Sequence, residues 1–322
     1  MKKRQDMALP TFTQNTYSGE FAGEYVAAAL LSAKTLDNQL VTIKPNVKFK
    51  EVIQKLDLAG IVQDASCDFV TSGSVVLSER IIEPKELQVN LELCKQEFVD
   101  SWNALQLGYS AFDTIPATFN DYLISYVAGN VAQATETAIW QGTATNGSFP
   151  GFQTLFSASI AVGGASDVLP ALTGSAIDSG SITSDNVLNK LNNVLNTVPS
   201  AVYGKEDLLI YVGTKVARAY QQALAGGAIG ANGWNNQMNV GEKPFNFNGV
   251  EIVLCPGLGD DKIAAAQKSN LFFGTGLLSD HNEVRVLDMA NLDGSQNYRV
   301  IMRYTAGVQF GVGNDIVYYG AY

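Results

Sequence analysis

The sequence predicts an α+β fold for a subunit that reaches across its neighbours, and three observations support this. Residues 87–94 alternate between apolar and polar side chains, which is typical of a strand with one apolar face. A long helical pattern follows over 118–141, and several strand-forming segments lie towards the C-terminus. The combination favours a protein that works within an assembly over an enzyme.

Composition is compatible with a β-rich protein whose surface is partly covered by other chains. The 322 residues could form one large domain or two, and they need no disulfide or metal to hold a core. Only 16% of the residues are charged, against about 25% in typical proteins, and the chain has 30 glycines, 13 tyrosines and 15 phenylalanines. On composition alone, an ordinary α+β domain with a neutral surface remains open as an alternative.

The net charge of −10 argues against direct binding of nucleic acid, which needs clustered Lys and Arg side chains. The one basic cluster is Lys2-Lys3-Arg4, which a solvated terminus explains. No apolar run approaches the ~18 residues of a membrane span, and the start has no signal-peptide pattern. We therefore expect no contact with a membrane and synthesis in the cytosol.

Residues 69–98 are predicted to form a long β-hairpin with its tip near Arg80 and Ile81. Arms of about nine residues would reach about 30 Å. A lone hairpin is only marginally stable in water, so this one is expected to lie on another subunit. The side chains predicted to make that contact are Leu87, Val89, Leu91 and Leu93, with Lys85 at the tip. Asp at Val89 and Leu91 would then abolish association without unfolding the chain.

The long helix is predicted over 118–141, with Thr118 as its N-cap and Gly142 at its end. It would span roughly 36 Å. Apolar residues recur at spacings that place them on one face, which is expected to pack against the core. These residues include Phe119, Leu123, Val127 and Val131, with Ile139 flanking them.

Beyond the helix, a segment rich in Gly, Ser and Ala over 147–180 suggests a domain boundary. A helix capped by Thr183 or Ser184 and ended by Pro199 is expected, and a second helix over 215–224, with a buried strand over 208–212 between them. A loop over 226–241 carries Trp234, and Asn248-Gly249 is the turn of a short hairpin. The remaining strands are expected over 271–273, 283–289, 298–304 and 308–319.

The residues needed for catalysis or for cofactor and metal binding are missing. His281 is the only histidine and lies in a polar turn, and the three cysteines have no metal-ligand spacing. No Gly-x-Gly triplet extends to a nucleotide-binding motif. The pair Asp260-Asp261 could bind a cation, although a solvated turn explains it as well. We expect no enzyme activity, no cofactor and no metal.

The order of these parts resembles that of tailed-bacteriophage major capsid proteins of the Hong Kong 97 fold. The resemblance covers most of the chain from about residue 59 onward and is one of pattern, without a diagnostic motif. It is carried by residues 86–98, by 119–142 with the ending Glu136-Thr137-Ala138-Ile139-Trp140-Gln141-Gly142, and by 248–253, 270–274 and 299–319.

The resemblance implies a division of the chain into five parts. Residues 1–58 would be an N-terminal arm and lead-in, 59–97 an extended loop, and 98–158 a peripheral domain with the spine helix at 118–141. Residues 159–283 would form an axial domain, and 284–322 the returning peripheral and closing axial strands. The loop with Trp234 would lie near the capsomer axis. Lys85 could cross-link to an asparagine, although an ordinary surface lysine fits as well.

The resemblance also implies a function. The chain would assemble with itself into hexamers and pentamers of an icosahedral head that encloses double-stranded DNA without specific binding. It would be made in the host bacterial cytoplasm and reside in the virion, with scaffolding, portal and decoration proteins as candidate partners. An encapsulin-type nanocompartment shares this fold and remains an alternative. A secreted or surface β-rich binding protein is a second alternative, against which the missing signal peptide and the Ala-rich helix count.

Overall fold

Two β-sheets, one long helix and a separate two-stranded hairpin form the framework of the chain. The computed structural model describes residues 34–59, 62, 64–65, 73–94, 117–145, 147–160, 167–174, 176–226, 245–276, 285–289 and 297–320.

The helices are α1 (Lys34–Asp37), α2 (Ala117–Gln141), α3 (Phe152–Ser159), α4 (Val187–Thr197) and α5 (Thr214–Gly226). The strands are β1 (Thr42–Lys44), β2 (Glu51–Ala59), β3 (Ser74–Ile82), β4 (Lys85–Cys94), β5 (Leu169–Pro170), β6 (Leu172–Thr173), β7 (Ala176–Ile177), β8 (Leu208–Val212), β9 (Phe245–Phe247), β10 (Val250–Leu254), β11 (Ile263–Gln267), β12 (Leu271–Thr275), β13 (Arg285–Asp288), β14 (Asn297–Phe310) and β15 (Val317–Tyr319). Three 3₁₀ turns lie at Pro256–Leu258, Lys268–Asn270 and Gly313–Asp315.

The first sheet has five strands and is organised around β14, which is 14 residues long. Its order is β1-β12-β14-β13, and β4 pairs with β14 as well. Alternate side chains of β14 point to one face and are buried, since successive residues of a strand face opposite sides. These side chains are Val300, Met302, Tyr304, Ala306, Val308 and Phe310. They pack in one core with residues of α2 and α3.

The second sheet has six strands in the order β5-β15-β11-β8-β10-β9. Both of its faces are covered. Residues of α4 and α5 pack on one face, while Tyr211, Ala264 and Tyr318 on the other face join the core of α2 and the first sheet. All five residues of β8 are buried, which explains its uninterrupted apolar sequence. The turn at Asn248 and Gly249 joins β9 to β10 with positive φ at both residues, as predicted.

Helix α2 begins one residue before the predicted position, so Thr118 lies inside the helix and is not its N-cap. The side chains of Val127, Val131 and Ile139 are buried in the core between the sheets. The helix stops before Gly142, where the chain turns back tightly. A Cβ atom at Gly142 would lie 2.0 Å from the carbonyl oxygen of Phe149, so this position admits only glycine without a backbone shift.

The predicted hairpin over 69–98 is wrong in its pairing. Strand β3 pairs with β2, from Glu51 opposite Ile82 to Ala59 opposite Ser74. Strand β4 pairs instead with β14, more than 200 residues away, and is a member of the five-stranded sheet. The extended loop predicted over 59–97 is corrected accordingly: β4 belongs to a sheet, and the free hairpin begins at residue 51. Alternation correctly identified the apolar face of β4, but alternation does not identify the segment that covers this face.

Several predicted features lie outside the described residues. They are the loop with Trp234, His281, and the side chains of Leu93, Phe119 and Leu123.

Candidate assembly surface

The hairpin β2–β3 forms a sheet of its own among the described residues, apart from both larger sheets. Each strand has nine residues, so at roughly 3.3 Å per residue the hairpin extends about 30 Å. Side chains of β2 and β3 that face each other across the ladder share one side of the hairpin. The two sides of the hairpin differ in character.

The outer side of the hairpin carries an apolar stripe, which we define as Val52, Leu56, Leu77 and Ile81. Val52 pairs with Ile81, and Leu56 pairs with Leu77. Their exposed fractions are 45%, 59%, 63% and 43% in the order of the chain. The pair Gln54 and Glu79 lies between the two apolar pairs. Four large apolar side chains aligned on a thin hairpin are an exposed patch of the kind that marks an interaction site.

The inner side of the hairpin is anchored at its base by Ile82, which is fully buried. Gly274 and Gly307 are cross-strand partners in the first sheet, and together they leave a notch without side chains. A Cβ atom at Gly274 would lie 2.7 Å from Cδ1 of Ile82, and one at Gly307 would lie 2.9 Å from Cα of Pro84. The notch therefore holds the end of β3 against the sheet.

Two residue pairs further out, Arg80 forms an ion pair with Asp167. Its guanidinium also lies over the ring of Phe310, 4.0 Å from the ring centroid. Burial lowers the pKa of Arg80 from its ordinary value, although a guanidinium remains charged at any physiological pH. Ile53 lies opposite Arg80 in the ladder, close to Gly311.

Polar contacts complete the base of the hairpin. The side-chain amide of Gln309 donates to the carbonyl oxygen of Ile81 over 2.9 Å. Lys50 pairs with Glu83 at 3.1 Å, and Lys44 pairs with Glu51. The hairpin is thus fixed at its base on the inner side, while the apolar stripe faces away from the chain.

A second surface lies on the exposed side of α2. The only charged residues of this helix are Asp121 and Glu136, and Glu136 is buried. The exposed residues of its second half are all neutral, namely Gly129, Asn130, Gln133, Ala134, Thr137 and Gln141. Together with the turn over 142–148, this side of the helix lines an open groove of about 470 Å³.

The predicted contact residues of β4 lie mainly against their own chain. Leu87 is only 6% exposed, and Val89 packs against the same core, because both lie beside buried residues of β14. Leu91, on the same side of the strand, is 37% exposed. Leu87 and Val89 therefore contribute to the core of their own chain, and the inter-subunit role predicted for them stays a prediction.

Lys85 is not at a hairpin tip but at the first position of β4. Its Nζ donates to the carbonyl oxygens of Ala144, Thr145 and Ser148, at 3.3, 3.3 and 3.0 Å. Ala144 has a φ of +62°, an uncommon value for a residue with a Cβ atom. The lysine thus holds the turn that follows α2 and borders the groove.

The residues of the apolar stripe were missed although their alternation is visible in the sequence. Val52, Leu56 and Leu58 follow a period of two over residues 51–59. Pro84 separates β3 from β4, and a proline is rarely placed inside a ladder, so it was the available signal that these two strands do not form one hairpin.

Candidate metal and membrane sites are not found in the parts of the chain that the structure describes. Within these ranges, no three His, Cys, Asp or Glu side chains converge as a metal site would require. Asp261 accepts hydrogen bonds from Lys215 and from the backbone N–H of Ile182, both over 2.6 Å. None of the described helices is both long and apolar enough to cross a bilayer.

Comparison with known proteins identifies the fold. The capsid of an empty GTA particle aligns with 99% of this chain and 94% of its own, with a TM-score of 0.58 and 13% identity. The satellite phage P4 procapsid including size determination (Sid) protein aligns with 92% of this chain and 98% of its own, with a TM-score of 0.55 and 10% identity. This chain has the Hong Kong 97-like capsid fold.

The capsid of Myoviridae phage XM1 shares this capsid fold over 88% of the present chain and 90% of its own, with a TM-score of 0.52 and 12% identity. No family model matches the sequence, and no curated protein matches it. The structural comparison thus detects the capsid fold at 10–13% identity, where the sequence comparisons find no match. Many different sequences can satisfy one pattern of buried and exposed positions.

Proposed function

We propose that this chain is a major capsid protein that assembles with itself into the icosahedral head shell of a tailed phage, enclosing double-stranded DNA. A fold alone does not imply a function, so the proposal rests on a site. The observation that carries it is the apolar stripe on a hairpin whose described contacts with the rest of the chain lie at its base. A hairpin of this kind gains stability when a second copy of the chain covers the stripe.

The neutral side of α2 is the surface proposed to receive that hairpin. A helix face exposed to water ordinarily carries charged residues, whereas this one presents small and amide side chains beside an open groove. Such a face loses little on desolvation because no charge has to be buried. We infer that the apolar stripe of one copy lies along this face in the next copy.

The charge of the chain suits a container for DNA. At a net charge of −10, the chain offers few cations for neutralising phosphates, so DNA would be enclosed without tight binding. We further propose hexamers and pentamers as the assembling units, and scaffolding, portal and decoration proteins as partners. In this proposal the protein is made in the host bacterial cytoplasm and resides in the virion.

We also propose that the chain has no enzyme activity. Cys255 is the one cysteine thiol described, and it is fully buried. Burial first, and the nearby Glu136 second, raise the pKa of this thiol well above its ordinary value. A thiol that stays protonated and inaccessible is a poor nucleophile, so it serves the core and not a reaction.

The test is the assembly state of the purified chain, measured by size-exclusion chromatography and negative-stain electron microscopy with and without scaffolding protein. We expect shells, sheets or capsomer-sized rings. Leu56→Asp combined with Leu77→Asp should raise the concentration needed for assembly at least about a hundredfold, since each lost leucine contact is worth about 1.5–3 kcal/mol. Circular dichroism should show that this double variant remains folded.

The matched control is Leu188→Asp, which places the same charge at an exposed leucine of α4 away from the stripe. Assembly of this control should be unchanged. A wild-type chain that stays monomeric under all these conditions would refute the proposed function. Equal assembly of the double variant and the control would refute the role of the stripe. Particles that hold a protein cargo and not DNA would indicate the encapsulin-type alternative.

A further inference from the structure

The direction of the hairpin is set by side chains, because no ladder joins β2 or β3 to either larger sheet within the described residues. A strand that extends an existing sheet takes its direction from the hydrogen bonds of the ladder. Here the hairpin meets the first sheet through Ile82 in the glycine notch, through Arg80 and through the hydrogen bond from Gln309 to the carbonyl oxygen of Ile81. Ile82 is fully buried, and Arg80 bonds to a second segment of the chain at Asp167, so we expect these two side chains to contribute most to the angle at which the hairpin leaves the chain.

The glycine notch holds one end of the hairpin, so the hairpin could still rotate about this end. The notch alone therefore does not fix the angle between the hairpin and the first sheet. Ile82 and Pro84 lie at one end of the hairpin, directly over Gly274 and Gly307. An arm of about 30 Å that rotates by about 10° around this end moves its tip by about 5 Å, which is the spacing of neighbouring strands. A displacement of that size would take the apolar stripe out of register with any complementary surface.

Arg80 supplies a second contact away from the pivot. Its guanidinium lies over Phe310, the last residue of β14 in the first sheet, and pairs with Asp167. Asp167 stands two residues before β5, the edge strand of the second sheet. Arg80 thus ties the hairpin to both sheets at once.

Asp167 is itself held in place. Its backbone N–H donates to the carbonyl oxygen of Ser159 at the end of α3, over 3.2 Å. A Cβ atom at Gly313 would lie 2.6 Å from Cγ of Asp167, so the glycine makes room for the carboxylate. The carboxylate of Asp167 is therefore held in one position by its surroundings. An ion pair with such a carboxylate restricts the position of the Arg80 guanidinium, whereas a pair between two mobile surface side chains does not.

We propose that Arg80 and Asp167, with Phe310 beneath the guanidinium, form a clamp that sets the angle of the hairpin relative to both sheets. The inference rests on the proposed function: the clamp holds the stripe in the orientation in which a second copy meets it. Holding a contact surface in its bound orientation reduces the entropy lost on association. Without the clamp, neighbouring copies would meet at a range of angles, and a closed shell of one size would be replaced by shells of several sizes.

The test uses two variants of the full chain, Asp167→Asn and Arg80→Met, with Arg218→Met as a control that removes an exposed guanidinium from α5. Spin labels at position 74, at the far end of β3 from the pivot, and at position 303 report the distance between the hairpin and the first sheet by double electron–electron resonance in unassembled protein. We expect the distance distribution of both clamp variants to broaden by about 5 Å, the displacement given by a rotation of about 10°. The control should retain the wild-type distribution.

Particle diameters measured by electron microscopy form the second readout. The clamp variants should give several diameters where the wild-type chain and the control give one. An unchanged distance distribution in folded Asp167→Asn protein would overturn the clamp, whether or not the chain assembles. Failure of the wild-type chain to assemble would count against the proposed function alone, because the distance measurement does not depend on assembly. If Arg80→Met does not fold, Asp167→Asn, which changes only one atom of the side chain, decides the question.

Discussion

At the scale of single residues, the most consequential polar contact is a buried carboxylate in α2. Glu136 is 5% exposed, and it accepts hydrogen bonds from the backbone N–H of Thr35 at 2.9 Å and from the Thr35 hydroxyl at 2.7 Å. The indole of Trp140 donates to the same hydroxyl oxygen over 2.8 Å. Buried polar groups need hydrogen-bond partners of this kind. Thr35 supplies them to Glu136 and Trp140, which lie 101 and 105 residues further along the chain.

We predict that Thr35→Val lowers the free energy of unfolding by about 1–3 kcal/mol, because the variant leaves Trp140 without its acceptor and Glu136 with one bond fewer. Urea unfolding followed by tryptophan fluorescence measures this change. Thr137→Val is the matched control, since that hydroxyl is exposed and bonds only to the carbonyl oxygen of Gln133 in the preceding turn. The control should change stability by less than about 0.5 kcal/mol. Equal losses in the two variants would contradict the role of Thr35.

At the scale of elements, β4 shows how a single strand changes its environment along its length. Leu87 and Leu91 lie on the same side of this strand, opposite Tyr304 and Val300 of β14. Leu87 is 6% exposed, and Leu91 is 37% exposed. Among the described side chains of β4, the apolar face is thus buried at Leu87 and partly open to solvent at Leu91.

Leu87→Ala is expected to cost about 2–5 kcal/mol of unfolding free energy, as a buried leucine does when it is replaced by alanine. Leu91→Ala should cost clearly less, since its side chain already contacts water in the isolated chain. Both values come from chemical denaturation of unassembled protein. A larger cost at Leu91 than at Leu87 would contradict this order of burial along β4. It would mean that Leu91 contributes more to the core than Leu87 does.

Periodicity predicted elements well and their partners poorly. Helix α2, strand β8 and the hairpin at Asn248 and Gly249 were all predicted within one or two residues, because their signals lie within a few positions of each other. The pairing of β4 was not, since its partner lies more than 200 residues away. A strand with one apolar face is equally compatible with a place in a hairpin and with a place in a larger sheet. Only the packing of the whole chain determines which partner it pairs with.

At the scale of the whole molecule, residues 34–47 tie the two sheets to α2. Strand β1 extends the first sheet in parallel with β12, and the hydroxyl of Tyr211 in the second sheet donates to the carbonyl oxygen of Leu40 over 2.7 Å. Leu36, Leu40 and Val41 of the same segment lie in the core that these elements share, and Val47 is buried as well. This segment is an integral part of the core and not a peripheral arm.

Deletion of residues 1–47 should therefore prevent folding, because it removes four buried apolar side chains and both hydrogen bonds to Glu136. Deletion of residues 1–33 retains every contact described for the segment 34–47 and serves as the control. Circular dichroism and thermal unfolding distinguish the two chains. A cooperative transition in the longer deletion, at the temperature found for the control, would show that the segment is dispensable.

The sequence predicted an exposed apolar face on a β-hairpin, but it assigned this face to different strands from those that carry it in the structure. Alternation and the length of a hairpin led to a contact through β4, whereas the exposed apolar stripe lies on β2 and β3. Apolar and polar residues alternate in both segments. The apolar face of β4 is largely buried by its own chain, whereas the apolar stripe on β2 and β3 is exposed. The clamp at Arg80 has no sequence signal at all, because Asp167 and Phe310 lie 87 and 230 residues further along the chain.

Local chemistry along the chain was sufficient to specify an α+β protein with a long helix and few charges, and it favoured a subunit of an assembly over an enzyme. These properties depend on neighbouring residues, whose spacing determines local structure directly. Which apolar strand stays exposed, and which arginine directs it, depends on contacts between distant segments. Such contacts exist only once the sheets have packed, because burial is a property of the whole fold and is not encoded by any one segment.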